Sequence, residues 1–145
     1  MPEYASYSRG PAEVVPVLAR YSIERGRKLA DLPRRVREAT RQDTRKHTRH
    51  ILRPDADEVT LYLANPGGAA WTRFRRAYRE TLRARFRDGR GPFDELAAAA
   101  TAGDVLIGCN CPTAKNPDVR RCHTVLALHF MQERYPDLDV ELPDA

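Results

Sequence analysis

The sequence predicts a single α/β domain over residues 1–145, with a mainly parallel sheet flanked by helices in a Rossmann-like, three-layer arrangement. Three observations lead there. "GPFDELAAAATAG" reads as a helix, "DVLIGC" after it as a continuous apolar strand, and "NPDVRRCHTVLALHFMQERYP" as a helix apolar on several sides. Helix, apolar strand, loop and buried helix is the pattern of a parallel sheet covered by helices. Trp71, Phe74, Tyr78 and Leu82 recur at helical spacing and give a second helix one apolar face. Finally, 145 residues at 41% hydrophobic and 31% charged suffice for one core, without an internal repeat.

In chain order, "YASYS" and then residues 14–19, "VVPVLA", read as short strands separated by Gly10 and Pro11. Leu32, Val36 and Ala39 place an amphipathic helix in the basic region that follows. That helix is expected to fray into a basic insertion around 41–54, helical or mobile. "ADEVTLYLANPGG" alternates at Val59, Leu61 and Leu63 before Asn65-Pro66-Gly67-Gly68, which favours a strand over a short helix. The Trp71–Leu82 face is core rather than a base-stacking platform, since stacking aromatics usually sit on strands or loops. Pro92 fits the first turn of the next helix, Asp94 and Glu95 suit its positive end, and Gly103 ends it. "DLDVEL" reads as a final edge strand.

Charge is unevenly spread. Residues 20–53 hold twelve Lys or Arg against four Asp or Glu, residues 71–90 eight against two, and residues 137–144 four acids alone. Clustered arginines steer toward phosphates, which points to a phosphorylated small molecule or a nucleic acid as partner. Arg34, Arg37, Arg41, Arg45, Arg75 and Arg79 are the candidate nucleic-acid contacts. Only three of the 25 basic residues are lysine, however, a skew that a GC-rich coding sequence also produces, with the arginines as solvated surface. No apolar run approaches the roughly 20 residues of a membrane span. The N-terminus lacks a secretory pattern and the three cysteines fit no disulfide scaffold, so the expected compartment is the cytoplasm.

The chemistry concentrates in residues 104–130, which hold every cysteine of the chain. Cys109 falls at the carboxyl end of a strand, residues 110–117 form a loop, and Cys122 and His123 begin the next helix. Ligands of open α/β sheets bind at the carboxyl ends of the strands, and a helix N-terminus there receives anions. Neither G-x-G-x-x-G nor G-x-x-x-x-G-K-[ST] occurs. The catalytic candidates are Cys122 as nucleophile or polar anchor, His123 as proton donor or acceptor, and Cys109. Arg120, Arg121, Lys115 and Thr124 are candidates for binding phosphate, and Tyr4 and Ser6 for the pocket edge.

Competing readings stay open. A helix N-terminus contributes only roughly 0.3–1 kcal/mol to a thiolate, so activation needs Arg120, Arg121 or protonated His123 as well. Cys109 and Cys122 also suit an inert core. No metal is required. Zinc on Cys109, Cys111, Cys122 and His123 is the lesser alternative, because neighbours on a helix point about 100° apart. His47 and His50 of "HTRH" share a helical face but read as surface residues. Cys109 with Cys122 is an easier disulfide than Cys109 with Cys111.

"VLIGCNCPTAKNPDVRRCHTVLALHFM" resembles the domain of unknown function 488 family, which includes the YeaO-like proteins. "YASYS", "VPVLARYSIERG" and "WTRFRRAYRETL" add weaker agreement. The resemblance covers about two thirds of the chain in separate blocks. It implies a compact single-domain α/β fold, with Cys109, Cys122 and His123 as characteristic positions, and no settled reaction or cofactor. Thr124 stands where members often have Arg, Cys111 and Lys115 are additions, and residues 41–53 look inserted. The function expected from all this is an enzyme acting on a nucleotide or nucleic-acid base, by hydrolysis or transfer at a glycosidic or phosphate bond. The alternative is a non-catalytic nucleic-acid-binding accessory module with structural cysteines.

Overall fold

The structure is a computed structural model and describes residues 15–143, so Tyr4, Ser6 and the "YASYS" segment lie outside the described residues. Three strands form an all-parallel sheet: β1 (Leu18–Ser22), β2 (Thr40–Asp43) and β3 (Val105–Cys109), in the order β1-β3-β2. Five helices pack with it: α1 (Arg34–Glu38), α2 (Ala56–Ala64), α3 (Gly68–Asp88), α4 (Gly91–Ala102) and α5 (His123–Arg134). The α/β class and parallel sheet are therefore as the sequence predicts.

β3 is central because it is the one strand that can bury both faces. Val105, Leu106 and Ile107 are almost fully buried, and both neighbours align on it, Ser22 opposite Cys109 and Asp43 opposite Gly108. Gly108 is demanded by close approach: a Cβ there would lie 2.7 Å from Tyr21 Cε1 and 2.9 Å from the Ile23 side chain. α5 buries eight of its twelve residues, among them Leu126, Leu128, Phe130 and Met131, which explains its lack of a single apolar face. Phe74, Tyr78 and Leu82 of α3 meet it, with Phe93, Leu96 and Ala100 of α4 completing the core. The aromatic stripe of α3 is thus core at these three positions, and Trp71 packs on its margin.

Several local expectations are corrected. "ADEVTLYLA" is helix α2, not a strand. Asp55 caps it, its carboxylate accepting from the N–H groups of Asp57 at 2.8 Å and Glu58 at 3.4 Å. Val59, Tyr62 and Leu63 then form the inner face, while Leu61 is 51% exposed. The basic helix stops at Glu38, and residues 40–43 form β2 instead of a frayed continuation. That short, polar edge strand is held by backbone pairing, which leaves no hydrophobic alternation to read. The rest of the 41–54 segment packs down. Leu52 is fully buried, Tyr78 donates to its carbonyl at 2.6 Å, and Arg85 donates to the carbonyls of Ile51 and Arg53 at 2.7 Å. "DLDVEL" makes only an isolated bridge, Val140 with Leu18. The first apolar strand begins at Leu18 and runs to Ser22, later than the apolar run suggests. Among the described residues no helix is long and apolar enough to cross a membrane.

Candidate functional site

β1, β2 and β3 end together at Ser22, Asp43 and Cys109, and the chain following β3 turns over that edge before entering α5. β1 anchors the turn. Ser22 Oγ and Arg20 Nη2 both donate to the Cys111 carbonyl, at 2.6 and 2.7 Å. Asn116 holds the far side of the loop. Its amide donates to the Arg121 carbonyl at 2.7 Å, and its Oδ1 accepts from Tyr62 Oη at 3.1 Å. These contacts fold the loop back so that the sulfurs of Cys109, Cys111 and Cys122 lie within 4.8 Å of one another.

The three thiols differ. Cys122, the N-cap of α5, is 2% exposed, whereas Cys109 and Cys111 are half-buried. Cys109 Sγ donates toward Cys111 Sγ at 4.0 Å, and Asn116 Nδ2 donates to the same sulfur at 3.4 Å. Donation from the Cys109 and Cys122 thiols, then from Asn116, holds Cys111 well below the ordinary thiol range despite its burial. Hydrogen bonding with the other two thiols, and then burial, push Cys122 up; the contact with Cys111 does the same to Cys109. Cys111 is therefore the first of the three to ionise. The positive end of α5 lies on the same side.

His123 stands between Thr44 and Cys122. Its Nε2 sits 2.8 Å from Thr44 Oγ1, which itself donates to the Gly108 carbonyl at 2.9 Å. The hydroxyl proton is thus committed, so the imidazole donates from Nε2 and its Nδ1 lone pair faces Cys122 Sγ at 3.9 Å. Burial pushes the His123 pKa down to about 4, which keeps the ring neutral. Tyr78 meets it edge-on at 5.8 Å.

Beside the sulfurs lies a cleft of about 260 Å³, just below the ~300–1,000 Å³ usual for ligand pockets. Cys109, Cys111, Cys122 and His123 line it together with Tyr62, Trp71 and Phe74. Trp71 and Phe74 stack at 5.7 Å with Tyr62 edge-on to Trp71, so the wall is a rigid aromatic surface. Arg45, Lys46 and Arg121 supply positive charge around it. Arg45 is held by Asp43, its Nη2 2.8 Å from Oδ2, whereas no carboxylate among the described residues pairs with Lys46 or Arg121.

The sequence-chosen residues thus divide. Cys109, Cys122, His123 and Arg121 line the cleft. Arg120 is bidentate to Asp118 at 3.0 and 3.1 Å and faces a separate groove beside α3, and Lys115 is exposed on the loop. Thr124 is fully buried: it accepts from Arg20 Nε at 3.0 Å and donates to Cys122 Sγ at 3.2 Å. Of the candidate nucleic-acid contacts, Arg34 pairs with Glu38 and Arg45 with Asp43. Arg37 donates to the Leu32 carbonyl, and Arg41 to those of Val36 and Arg37. Arg79 lies 3.7 Å from Glu133, and Arg75 beside it lines the α3 groove. Sequence reasoning missed Asn116, Lys46 and the aromatic wall; only Asn116, a polar residue six before Cys122, carried any local signal.

No family model, curated protein or solved structure matches this chain.

Proposed function

We propose that the protein is a small enzyme that binds a phosphate-bearing ligand with a flat aromatic group, a nucleotide or nucleic-acid base, in this cleft. The observation that carries the reading is the joint lining: sulfurs, an aromatic wall, and cations without a carboxylate partner among the described residues share one cavity at the carboxyl edge of a parallel sheet. The base stacks on Trp71, Lys46 and Arg121 take the phosphate, and the cysteine cluster supplies the reactive group. Hydrolysis or group transfer at the glycosidic or phosphate bond is the reaction class. The small cleft favours one nucleotide unit over a polymer. His123 acts as a positioning residue in this scheme, because Thr44 occupies its Nε2.

A reducing cytoplasm suits free cysteines in these roles. A distant relation to the domain of unknown function 488 family is part of the same proposal. Its support is the strand–loop–helix corner carrying Cys109, Cys122 and His123.

Trp71 is the only tryptophan of the chain and lines the cleft, so its fluorescence reports occupancy directly. A nucleoside monophosphate should quench it saturably, the parent nucleoside and inorganic phosphate each far more weakly. Arg121→Ala should weaken binding roughly tenfold, as expected for a lost charge-assisted contact. Absence of saturable quenching, or equal responses to all three probes, would sink the reading.

A further inference from the structure

We propose that Cys109, Cys111 and Cys122 bind one Zn²⁺ ion as three thiolates, leaving a fourth tetrahedral position open to the cleft. The inference goes beyond ligand binding and does not depend on which molecule the cleft takes.

Geometry is the first support. Zn–S bonds of about 2.3 Å in a tetrahedron place sulfurs about 3.8 Å apart. The three sulfurs already lie within 4.8 Å, with Cys109 and Cys111 at 4.0 Å, so small side-chain rotations close the site. Thiolate is a soft ligand preferred by zinc over the hard cations that phosphates carry.

The second support is independent and lies behind the sulfurs. Arg20 Nε can only donate, so the Thr124 hydroxyl that accepts from it directs its own proton to Cys122 Sγ. Asn116 is oriented by the Arg121 carbonyl, which can only accept, and by Tyr62 Oη; its amide nitrogen must therefore face that carbonyl and Cys111 Sγ. Two of three sulfurs thus receive hydrogen bonds from buried donors whose other partners fix them. Thr124 is fully buried and Asn116 is 6% exposed. Such outer partners orient metal-bound thiolates and offset their charge. Three converging sulfur lone-pair sites, braced by donors, call for a cation between them.

His123 is left out of the ligand set: Thr44 holds its Nε2, and its Nδ1, although 3.9 Å from Cys122 Sγ, does not lie within 4.8 Å of all three sulfurs. All three cysteines line the cleft, so the remaining coordination position points there, toward a water or a ligand oxygen. Arg45, Lys46 and Arg121 surround the same space and compensate the residual negative charge of three thiolates on a divalent ion.

The full chain is stripped of metal under reducing conditions and titrated with Zn²⁺ against a chromophoric zinc chelator. One equivalent should bind. Cys111→Ser, at a half-buried loop position, should keep the thermal transition of the metal-free protein and lose more than 100-fold in affinity. Thr124→Val keeps all three sulfurs and should lose roughly 10–100-fold. Undiminished zinc affinity in Cys111→Ser would overturn the proposal. So would a stripped wild-type protein, thiols reduced, that takes up no zinc, or one that binds zinc with equal affinity after Thr124→Val. Quenching of Trp71 by nucleotide is read separately, so failure of the ligand reading and failure of the metal site remain distinguishable.

Discussion

All three cysteines line the cleft, but Cys122 is only 2% exposed while Cys109 and Cys111 are half-buried. In native, metal-free protein iodoacetamide should therefore modify Cys111 first and Cys122 last, as read by peptide mass spectrometry. Labelling of Cys122 ahead of the other two would return the nucleophile to the position the sequence favours. That preference followed from Cys122 standing at a helix N-terminus, which is where it stands. What no spacing shows is that Arg20 and Ser22, some ninety residues earlier, seize the Cys111 carbonyl and bring Cys111 into line. His50 supplies a separate test. Its Nδ1 accepts from the Leu52 N–H at 3.0 Å and its Nε2 lies 2.6 Å from Gln42 Oε1, an arrangement only the neutral ring satisfies. Burial pushes its pKa below the ordinary 6.5. The unfolded chain then binds this proton first, so stability is full above about pH 6.5 and declines as pH falls toward the lower folded value, by up to about 1.4 kcal/mol per pH unit. Urea midpoints at pH 7.5 and 5.5 should show that decline, with a smaller one in His50→Asn; an identical decline in the variant contradicts the assignment.

Among the elements, α2 shows how a local signal can mislead. Val59, Leu61 and Leu63 alternate as in a strand, yet Asp55 followed by Glu58 is a helix-start pattern, and the cap decides the outcome. Asp55→Ala should cost about 1 kcal/mol in chemical denaturation, and a value near zero would mean that tertiary contacts alone hold the helix. β2 was illegible for the opposite reason. Its residues, Thr40 to Asp43, carry no apolar face and are held by a ladder to β3, so nothing in their side chains announces a strand. α3 and α4 were legible because each buries residues at helical spacing, and β3 and α5 because each is an apolar run buried on most sides.

For the whole molecule, the class of fold followed from one junction: a continuous apolar strand entering a helix buried on most sides. The site was half legible. The carboxyl edge of β3 was marked by Cys109 and the Cys122-His123 pair. Its aromatic wall comes from α2 and α3, and its cations Lys46 and Arg121 come from two loops, assembled only by the packing of α2 on α3 and of α3 on α5. The cleft is built around three converging sulfurs. X-ray absorption at the zinc edge of the zinc-loaded protein is the decisive measurement. Zinc held as proposed gives a shell of three sulfurs at about 2.3 Å with one lighter scatterer. A shell of nitrogen and oxygen alone would contradict it.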